Sequence, residues 1–223
     1  MEIKTATVIG ANGALGIGVS SILASFGDVK VYMIARTMKK AEEAIEKAGM
    51  AVKANSICKN MEAMTYDDLE KCISESDIVV ETIIEEYETK KKIHEEINKY
   101  LRKNAIASSV TSGISINSLA ECYNKENKKR FFGIHFFNPP YNLQLCELIA
   151  SKYVSKSVED ELQRYLEKKL YRKVVRAKDE PGFLANRIGF QFINKAMQYA
   201  EKYKEKGGID YIDTIIGCFT GRN

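Results

Sequence analysis

The sequence has few of the side chains that build metal centres and disulfide frameworks. Only two histidines occur in 223 residues, and the five cysteines are odd in number and form no C-x-x-C pair. Zinc sites and disulfide scaffolds need such ligands in closely spaced groups. We therefore expect no metal, and the pattern of cysteines indicates a reducing, cytoplasmic setting.

A strong charge of one sign is also missing. The formal net charge is +4, and the lysines are spread along the chain. This distribution argues against a nucleic-acid surface, whereas a slight positive excess suits a ligand that carries phosphate groups. The content of 45% hydrophobic and 29% charged residues is ordinary for a globular protein with a sizeable core.

Charged side chains are absent from residues 5–27, a stretch long enough to raise the question of a membrane span. Five glycines interrupt this stretch, which therefore has no continuous apolar run. The glycines would also break the apolar region of a signal peptide. We interpret the segment as a buried strand, a glycine turn and a buried helix, and we expect no contact with a membrane.

Strand-like and helix-like patterns alternate along most of the chain. We expect strands at Ala6–Ile9, Val29–Ala35, Met50–Ile57, Asp77–Ile83, Ala105–Ser109, Phe131–Phe136, Leu143–Ile149 and Lys173–Ala177. The expected helices are Ala14–Phe26, Met38–Lys47, Asp67–Ser74, Glu86–Leu101 and Val158–Leu170. This alternation is typical of an α/β protein with a mostly parallel, Rossmann-type sheet, here over residues 1–180.

The pattern breaks at Asp179–Gly182, and residues 181–223 then predict a short helical appendage. One long helix is expected at Phe183–Lys204, with an apolar side formed by Phe183, Ile188, Phe192, Ile193, Ala196 and Met197. So short a tail cannot cover that side, and large exposed apolar surfaces usually mark an interface. We therefore expect a homodimer or a separate C-terminal partner subunit.

A glycine-rich loop, Gly10–Gly18, follows the first strand and opens the first helix. In a βαβ unit such a loop brings the backbone close to a dinucleotide pyrophosphate at the helix N-terminus. The residues predicted to hold the cofactor here are Gly10, Asn12, Gly13, Ala14, Leu15 and Gly16. A turn of purely structural importance is the alternative.

The end of the second strand lacks the acidic residue that usually accepts the ribose hydroxyls of NAD. Ala35 offers no acceptor, whereas Arg36 and Thr37 could hold the 2′-phosphate of NADP. The alternative is that Arg36 is a solvated strand-end residue. We expect NAD or NADP as the cofactor.

His135 lies three residues before Asn138 and twelve before Glu147. A histidine that moves protons needs a partner to fix its tautomer, and a carboxylate is the usual one. Hydroxyl and amide donors can in turn stabilise a developing alkoxide. Together with a nicotinamide site, these residues predict interconversion of an alcohol and a ketone. His94 lies in a helix rich in lysine and glutamate, and we expect it to be solvated.

Several segments in order along the chain resemble the 3-hydroxyacyl-CoA dehydrogenase family. They are Asp77–Glu85, Glu88–Lys92, Ser109–Gly113, Arg130–Pro139 and Asp179–Arg187, which includes Pro-Gly-Phe-Leu-Ala-Asn-Arg. The resemblance implies an NAD-dependent enzyme of fatty-acid β-oxidation that acts on an acyl-CoA substrate. It implies that His135 is the general base and that Glu147 orients it.

The resemblance implies further site residues. Ser112 and Asn138 would bind the substrate oxygen or the nicotinamide region, and Asn186 would reach the site from the start of the long helix. Glu85 and Lys90 match family positions near the cofactor.

This sequence departs from the family in four respects. Val110 replaces an asparagine, and the loop reads G-x-x-G-x-x-G instead of G-x-G-x-x-G. The chain has a single helix after the second strand where the family inserts a helical hairpin that helps to grip CoA. It also ends soon after the first long helix of the family's C-terminal domain, so we expect a truncated relative, a split subunit or a fragment.

Two other functions remain open from the sequence. A short-chain-type ketoreductase would use a Tyr-x-x-x-Lys pair, which occurs at Tyr165–Lys169 and at Tyr87–Lys91. A non-catalytic NAD(P)-binding sensor or regulatory subunit would fit the missing hairpin and C-terminal domain.

Overall fold

The computed structural model describes residues 2–217. The strands are β1 (Thr5–Ile9), β2 (Lys30–Ala35), β3 (Met61–Thr65), β4 (Ile78–Glu81), β5 (Ile106–Ser109), β6 (Phe131–Phe136), β7 (Leu145–Ala150) and β8 (Lys173–Arg176). The α-helices are α1 (Ala14–Ser25), α2 (Met38–Ala51), α3 (Leu69–Glu75), α4 (Tyr87–Tyr100), α5 (Ile116–Ala120), α6 (Lys156–Lys168), α7 (Ala185–Lys202) and α8 (Ile209–Gly217).

All eight strands form one sheet in the order β3-β2-β1-β4-β5-β6-β7-β8. Neighbouring strands are parallel from β3 to β6, β7 is antiparallel to β6, and β8 is parallel to β7. The predicted α/β, mostly parallel Rossmann-type fold is confirmed. The strand order reverses between β1 and β4, and ligands of such sheets bind outside the carboxyl ends of the strands at this point.

Burial explains why the central strands are so apolar. Every residue of β4, β5 and β6 is buried, as are the last four residues of β1 and the last five of β2. A parallel sheet covered on both faces needs such continuous apolar runs. The hydrophobic core lies between this sheet and helices α1, α2 and α6.

The prediction of a third strand at Met50–Ile57 is wrong. Met50 still belongs to α2, a 3₁₀ helix follows at Asn55–Asn60, and β3 begins only at Met61. Ala41, Ala44 and Ala48 form the buried face of α2 at helical spacing, which carries the helix past the predicted end. The true β3 was missed because it is an edge strand with a half-buried, partly polar pattern.

Two short helices were not predicted. Helix α5 has five residues, and α8 begins at Ile209, after the predicted long helix. The long helix itself is observed as α7. No helix within residues 2–217 is long and apolar enough to cross a membrane.

The chain divides into two compact units between Pro181 and Gly182, next to the break that the sequence pattern indicates. The first unit contains the sheet and α1–α6. The second contains α7 and α8, which pack against each other. Five apolar side chains of α7 have exposed fractions of about one half or more: Ile188 (64%), Phe190 (63%), Phe192 (49%), Ile193 (46%) and Met197 (66%). A partner surface on this helix stays a prediction.

Candidate functional site

The glycine loop has the geometry that a dinucleotide site requires. Gly10 has a φ of +82°, which favours glycine, and a Cβ on Gly16 would lie 2.5 Å from the carbonyl oxygen of Gly10. Helix α1 begins at Ala14 with no side-chain cap and no acidic residue in its first turn. Its N-terminus is therefore suited to an anionic group such as a pyrophosphate.

A cleft of about 470 Å³ lies beside this loop. Its walls include four of the predicted cofactor residues, Gly10, Asn12, Gly13 and Arg36, and also Lys40, Tyr66, Thr82, Ile83, Ile84, Thr89 and Ile93. None of these lining residues carries a carboxylate, whereas two carry a positive charge. The electrostatics of this part of the cleft favour an anionic ligand.

The end of β2 contributes little besides Arg36. Ala35 is buried, and the hydroxyl of Thr37 accepts a hydrogen bond from the Lys40 amide at 3.4 Å, which caps α2. Burial raises the pKa of Tyr66, although the positive charge of Arg36 opposes the shift. Tyr66 therefore keeps its proton and can donate a hydrogen bond in this cleft.

His135 and Glu147 face each other on neighbouring strands. They are a directly opposed pair in the antiparallel register of β6 and β7, which explains their twelve-residue separation in sequence. His135 Nδ1 lies 2.6 Å from Glu147 Oε2, and both side chains are nearly fully buried. An imidazole that donates from Nδ1 to a carboxylate keeps Nε2 as its basic nitrogen.

Ser112 lies next to that nitrogen. Its Oγ is 3.2 Å from His135 Nε2, on an exposed turn that follows β5. The carboxylate of Glu85 holds this turn, because Glu85 Oε1 accepts hydrogen bonds from the amides of Ser112 at 2.9 Å and Gly113 at 3.2 Å, and from the Thr111 hydroxyl.

Lys90 and His94 lie beneath the turn, not at the surface. Lys90 is fully buried, with Nζ 2.7 Å from Glu81 Oε1 and 3.7 Å from Glu85 Oε2. The expectation that His94 is solvated is wrong, because it is also fully buried, between Glu81 and Tyr123. It lies on the one face of the charged helix α4 that packs inward, together with Lys90 and Ile97.

The remaining predicted residues lie at exposed or half-buried positions. Asn138 is exposed in the β6–β7 connection, and Asn186 is half-buried in the first turn of α7, in the second unit. Ala14 is exposed and Leu15 half-buried at the start of α1. No group of three or more potential metal ligands occurs among residues 2–217.

The Tyr165–Lys169 pair of the ketoreductase alternative does not form a site. Tyr165 belongs to the hydrophobic core, and its hydroxyl has no hydrogen-bond partner within the described chain. Lys169 is exposed. A hydroxyl enclosed in the core cannot reach a substrate.

Several residues that shape the site were not predicted from the sequence. Thr111 accepts the amide of Ile114 at 3.0 Å, and Asp179 accepts the amides of Ile116 and Asn117, both at 2.8 Å. Two signals in the sequence pointed to these residues. Thr111 comes directly before Ser112, and Asp179 opens the break in the strand and helix pattern.

A Rossmann sheet, a glycine loop at the switch point and a histidine–glutamate pair at the same sheet define a nucleotide-binding domain of the dehydrogenase class. Residues 5–180 match the family model described as 3-hydroxyacyl-CoA dehydrogenase, NAD binding domain. The chain belongs to this family.

Known relatives agree with this assignment. A probable 3-hydroxyacyl-CoA dehydrogenase of Deinococcus radiodurans is 37% identical over 213 residues, which cover 91% of this chain and 61% of the relative. A 3-hydroxybutyryl-CoA dehydrogenase of Bradyrhizobium diazoefficiens is 32% identical, with coverage of 96% and 74%. The crystal structure of (S)-3-hydroxybutyryl-CoA dehydrogenase from Ralstonia eutropha superposes with a TM-score of 0.77 at 30% identity, covering 87% of this chain and 70% of that one. The chain thus spans about three-fifths of the Deinococcus relative.

Proposed function

We propose that this chain oxidises a 3-hydroxyacyl thioester reversibly to the 3-ketoacyl form, with a nicotinamide cofactor in the cleft beside the glycine loop. The observation that carries the proposal is the distance of 2.6 Å between His135 Nδ1 and Glu147, with Ser112 Oγ at 3.2 Å from Nε2. The names of the relatives indicate the substrate class, an acyl-CoA.

In this mechanism Glu147 accepts a hydrogen bond from the Nδ1–H of His135, so that Nε2 can take the proton of the 3-hydroxyl group. A nicotinamide cofactor held beside the glycine loop and Arg36 would supply the acceptor for the hydride of C3. Ser112 and Asn138 donate hydrogen bonds to the oxygen as it gains negative character. The His135–Glu147 pair then stabilises the imidazolium until the proton leaves.

The cofactor is NAD(H) by family, and we propose that NADP(H) binds at least as tightly. The proposal is supported by Ala35 in place of the acidic residue and by Arg36 and Lys40 beside the glycine loop. A 2′-phosphate is bound best by charge-assisted donors, and Arg36 supplies them in bidentate geometry.

Turnover of acetoacetyl-CoA with NADH or NADPH tests the activity. We expect oxidation of the reduced cofactor that depends on the thioester. A folded chain that binds the cofactor but never turns over would instead be the non-catalytic sensor. Calorimetric titration tests the cofactor. If NADH binds more than about tenfold tighter than NADPH, a difference of roughly 1.4 kcal/mol, the NADP proposal fails.

A further inference from the structure

The buried lysine beneath the active-site turn is the starting observation. Lysine is rarely buried completely, yet Lys90 is, and Nζ contacts three oxygens besides Glu85. These are Glu81 Oε1 at 2.7 Å and the carbonyl oxygens of Val110 at 3.2 Å and Ile83 at 3.4 Å. An ammonium group has three donors, so no donor is left over for a ligand in the cleft.

Glu81 is the anchor of this lysine. Its Oε1 also accepts the Ile83 amide at 2.6 Å, while Oε2 accepts the Ser109 hydroxyl at 2.6 Å and lies 3.2 Å from His94 Nε2. Burial would raise the pKa of Glu81, but the His94 hydrogen bond and the Lys90 charge outweigh it, and the net shift is downward. Glu81 is therefore a fixed negative charge at neutral pH.

His94 completes the cluster. Its Nδ1 lies 2.7 Å from the Tyr123 hydroxyl, and its ring packs edge-on against Phe131. A neutral ring with its proton on Nε2 donates to Glu81 and accepts from Tyr123, so that both nitrogens are satisfied. The Glu81 carboxylate is thus held from several sides and cannot follow a movement of Lys90.

Glu85 connects this rigid cluster to the active site. One carboxylate oxygen faces Lys90 at 3.7 Å, and the other accepts the hydrogen bonds of the turn that carries Ser112. Glu85 is half-exposed, and its only ion pair within the described residues is with Lys90. The charge of Lys90 adds an attraction to the three hydrogen bonds that keep this carboxylate over the turn.

We propose that Lys90, fixed by Glu81 and His94, is a positioning residue that holds Glu85 over the Thr111–Gly113 turn and thereby sets Ser112 against His135. The proposal rests on the function proposed above. It assigns Lys90 an indirect role, through Glu85, instead of a contact with the cofactor.

A double-mutant cycle between Lys90→Met and Ser112→Ala tests the proposal. If Lys90 acts through Ser112, Lys90→Met lowers kcat by about tenfold in the wild-type chain, the size of one weakened hydrogen bond to a charged group. In the Ser112→Ala background the same exchange changes kcat by less than about twofold. The Kd of NADH stays within about twofold of the wild-type value, and Lys92→Met, on the exposed side of α4, serves as the control.

Three results would overturn the proposal. The first is an equal loss of kcat in both backgrounds, as expected of a general structural role. The second is an unchanged kcat, and the third is a tenfold weaker NADH affinity, which would mean that Lys90 contacts the cofactor. If Lys90→Met does not fold because Glu81 is left unpaired, the double variant Glu81→Gln/Lys90→Met replaces it in the cycle.

Nitrogen NMR of the imidazole rings gives a readout that needs no turnover, and it separates this proposal from the proposed activity. The chain has only two histidines, so both rings can be assigned. We expect Lys90→Met to shift the Nε2 resonance of His135 in the same direction as Ser112→Ala. An unchanged resonance overturns the proposal even if the wild-type chain proves inactive.

Discussion

The molecule contains two histidine–glutamate pairs, and they differ mainly in what meets the second ring nitrogen. His135 lies 2.6 Å from Glu147, and His94 lies 3.2 Å from Glu81. The other nitrogen of His135 meets Ser112 on an exposed turn, whereas that of His94 meets the buried hydroxyl of Tyr123. Both histidines pair with a carboxylate, so we propose that access to a ligand is what distinguishes His135 from His94.

Burial of the neighbours explains the difference in access. His135 lies near the carboxyl end of β6, where Ser112 on its exposed turn meets the ring. His94 is enclosed by α4, Tyr123 and Phe131. Burial also raises the pKa of Tyr123 well above its usual value, so its hydroxyl stays neutral as the fixed hydrogen-bond partner of His94. We therefore expect exchanges at His135 to affect catalysis and exchanges at His94 to affect stability.

The largest expected effect is that of His135→Gln. Loss of a general base lowers kcat by about 10²- to 10⁴-fold, and the cofactor affinity should stay unchanged. Steady-state kinetics and NADH titration measure both quantities. His94→Phe is the matched comparison, and we expect its loss of kcat not to exceed the roughly tenfold loss of Lys90→Met, because His94 acts only through the Glu81 anchor. Equal losses in the two variants would abolish the distinction between the pairs.

Glu147→Gln should lower kcat less than His135→Gln does. The base remains but loses its charged partner, and a hydrogen bond to a charged group contributes about 1.5–3 kcal/mol, or roughly 10- to 100-fold in kcat. Kinetics under the same conditions provide the comparison. A loss larger than that of His135→Gln would mean that Glu147 itself takes the proton.

His94→Phe should mainly lower the free energy of unfolding, whereas the exchanges at His135 and Glu147 mainly lower kcat. The exchange leaves Glu81 with one hydrogen bond fewer and the buried Tyr123 hydroxyl without its partner. An unsatisfied buried polar group costs about 1–3 kcal/mol. Urea unfolding of the variant and of His135→Gln, side by side, measures the difference. The account is contradicted if His135→Gln is the more destabilised of the two.

The smallest effect concerns the pH dependence of the buried pair. Because the pKa of Glu81 is lowered in the folded chain, its ionisation stabilises the fold above the unfolded carboxyl pKa of about 4.3. This stabilisation disappears as the pH falls through the lower, folded-state pKa. The difference in unfolding free energy between wild type and Glu81→Gln should therefore be constant between pH 7 and about pH 5. Below about pH 4 this difference should shrink. A difference that grows on acidification would contradict the sign of the shift.

Some features of the fold and of the site could be predicted from the sequence, and others could not. The strands near β1, β2, β4 and β6 were predictable because their burial on both faces requires apolar runs. The opposition of His135 and Glu147 followed from spacing and family resemblance. The edge strand β3 was missed because edge strands carry polar residues, and the preceding helix α2 continues through a glycine and a methionine.

Long-range packing accounts for the error at His94. Its neighbours in sequence are charged, and only the position of Glu81 and Tyr123 in other elements shows that this face of α4 points inward. Lys90 illustrates the same limit. Its place in a lysine-rich segment gives no sign of burial, although Lys90, His94 and Ile97 recur at helical spacing.

The central claim is that His135 and Glu147 act as one proton-transfer unit. Single-turnover rates of NADH oxidation with acetoacetyl-CoA, measured for wild type, His135→Gln, Glu147→Gln and the double variant, test it most directly. We expect the single-turnover rate of the double variant to lie within about twofold of the rate of His135→Gln, because residues that act as a unit show strongly non-additive effects. Independent losses that multiply in the double variant, or a wild-type-like rate for His135→Gln, would contradict it.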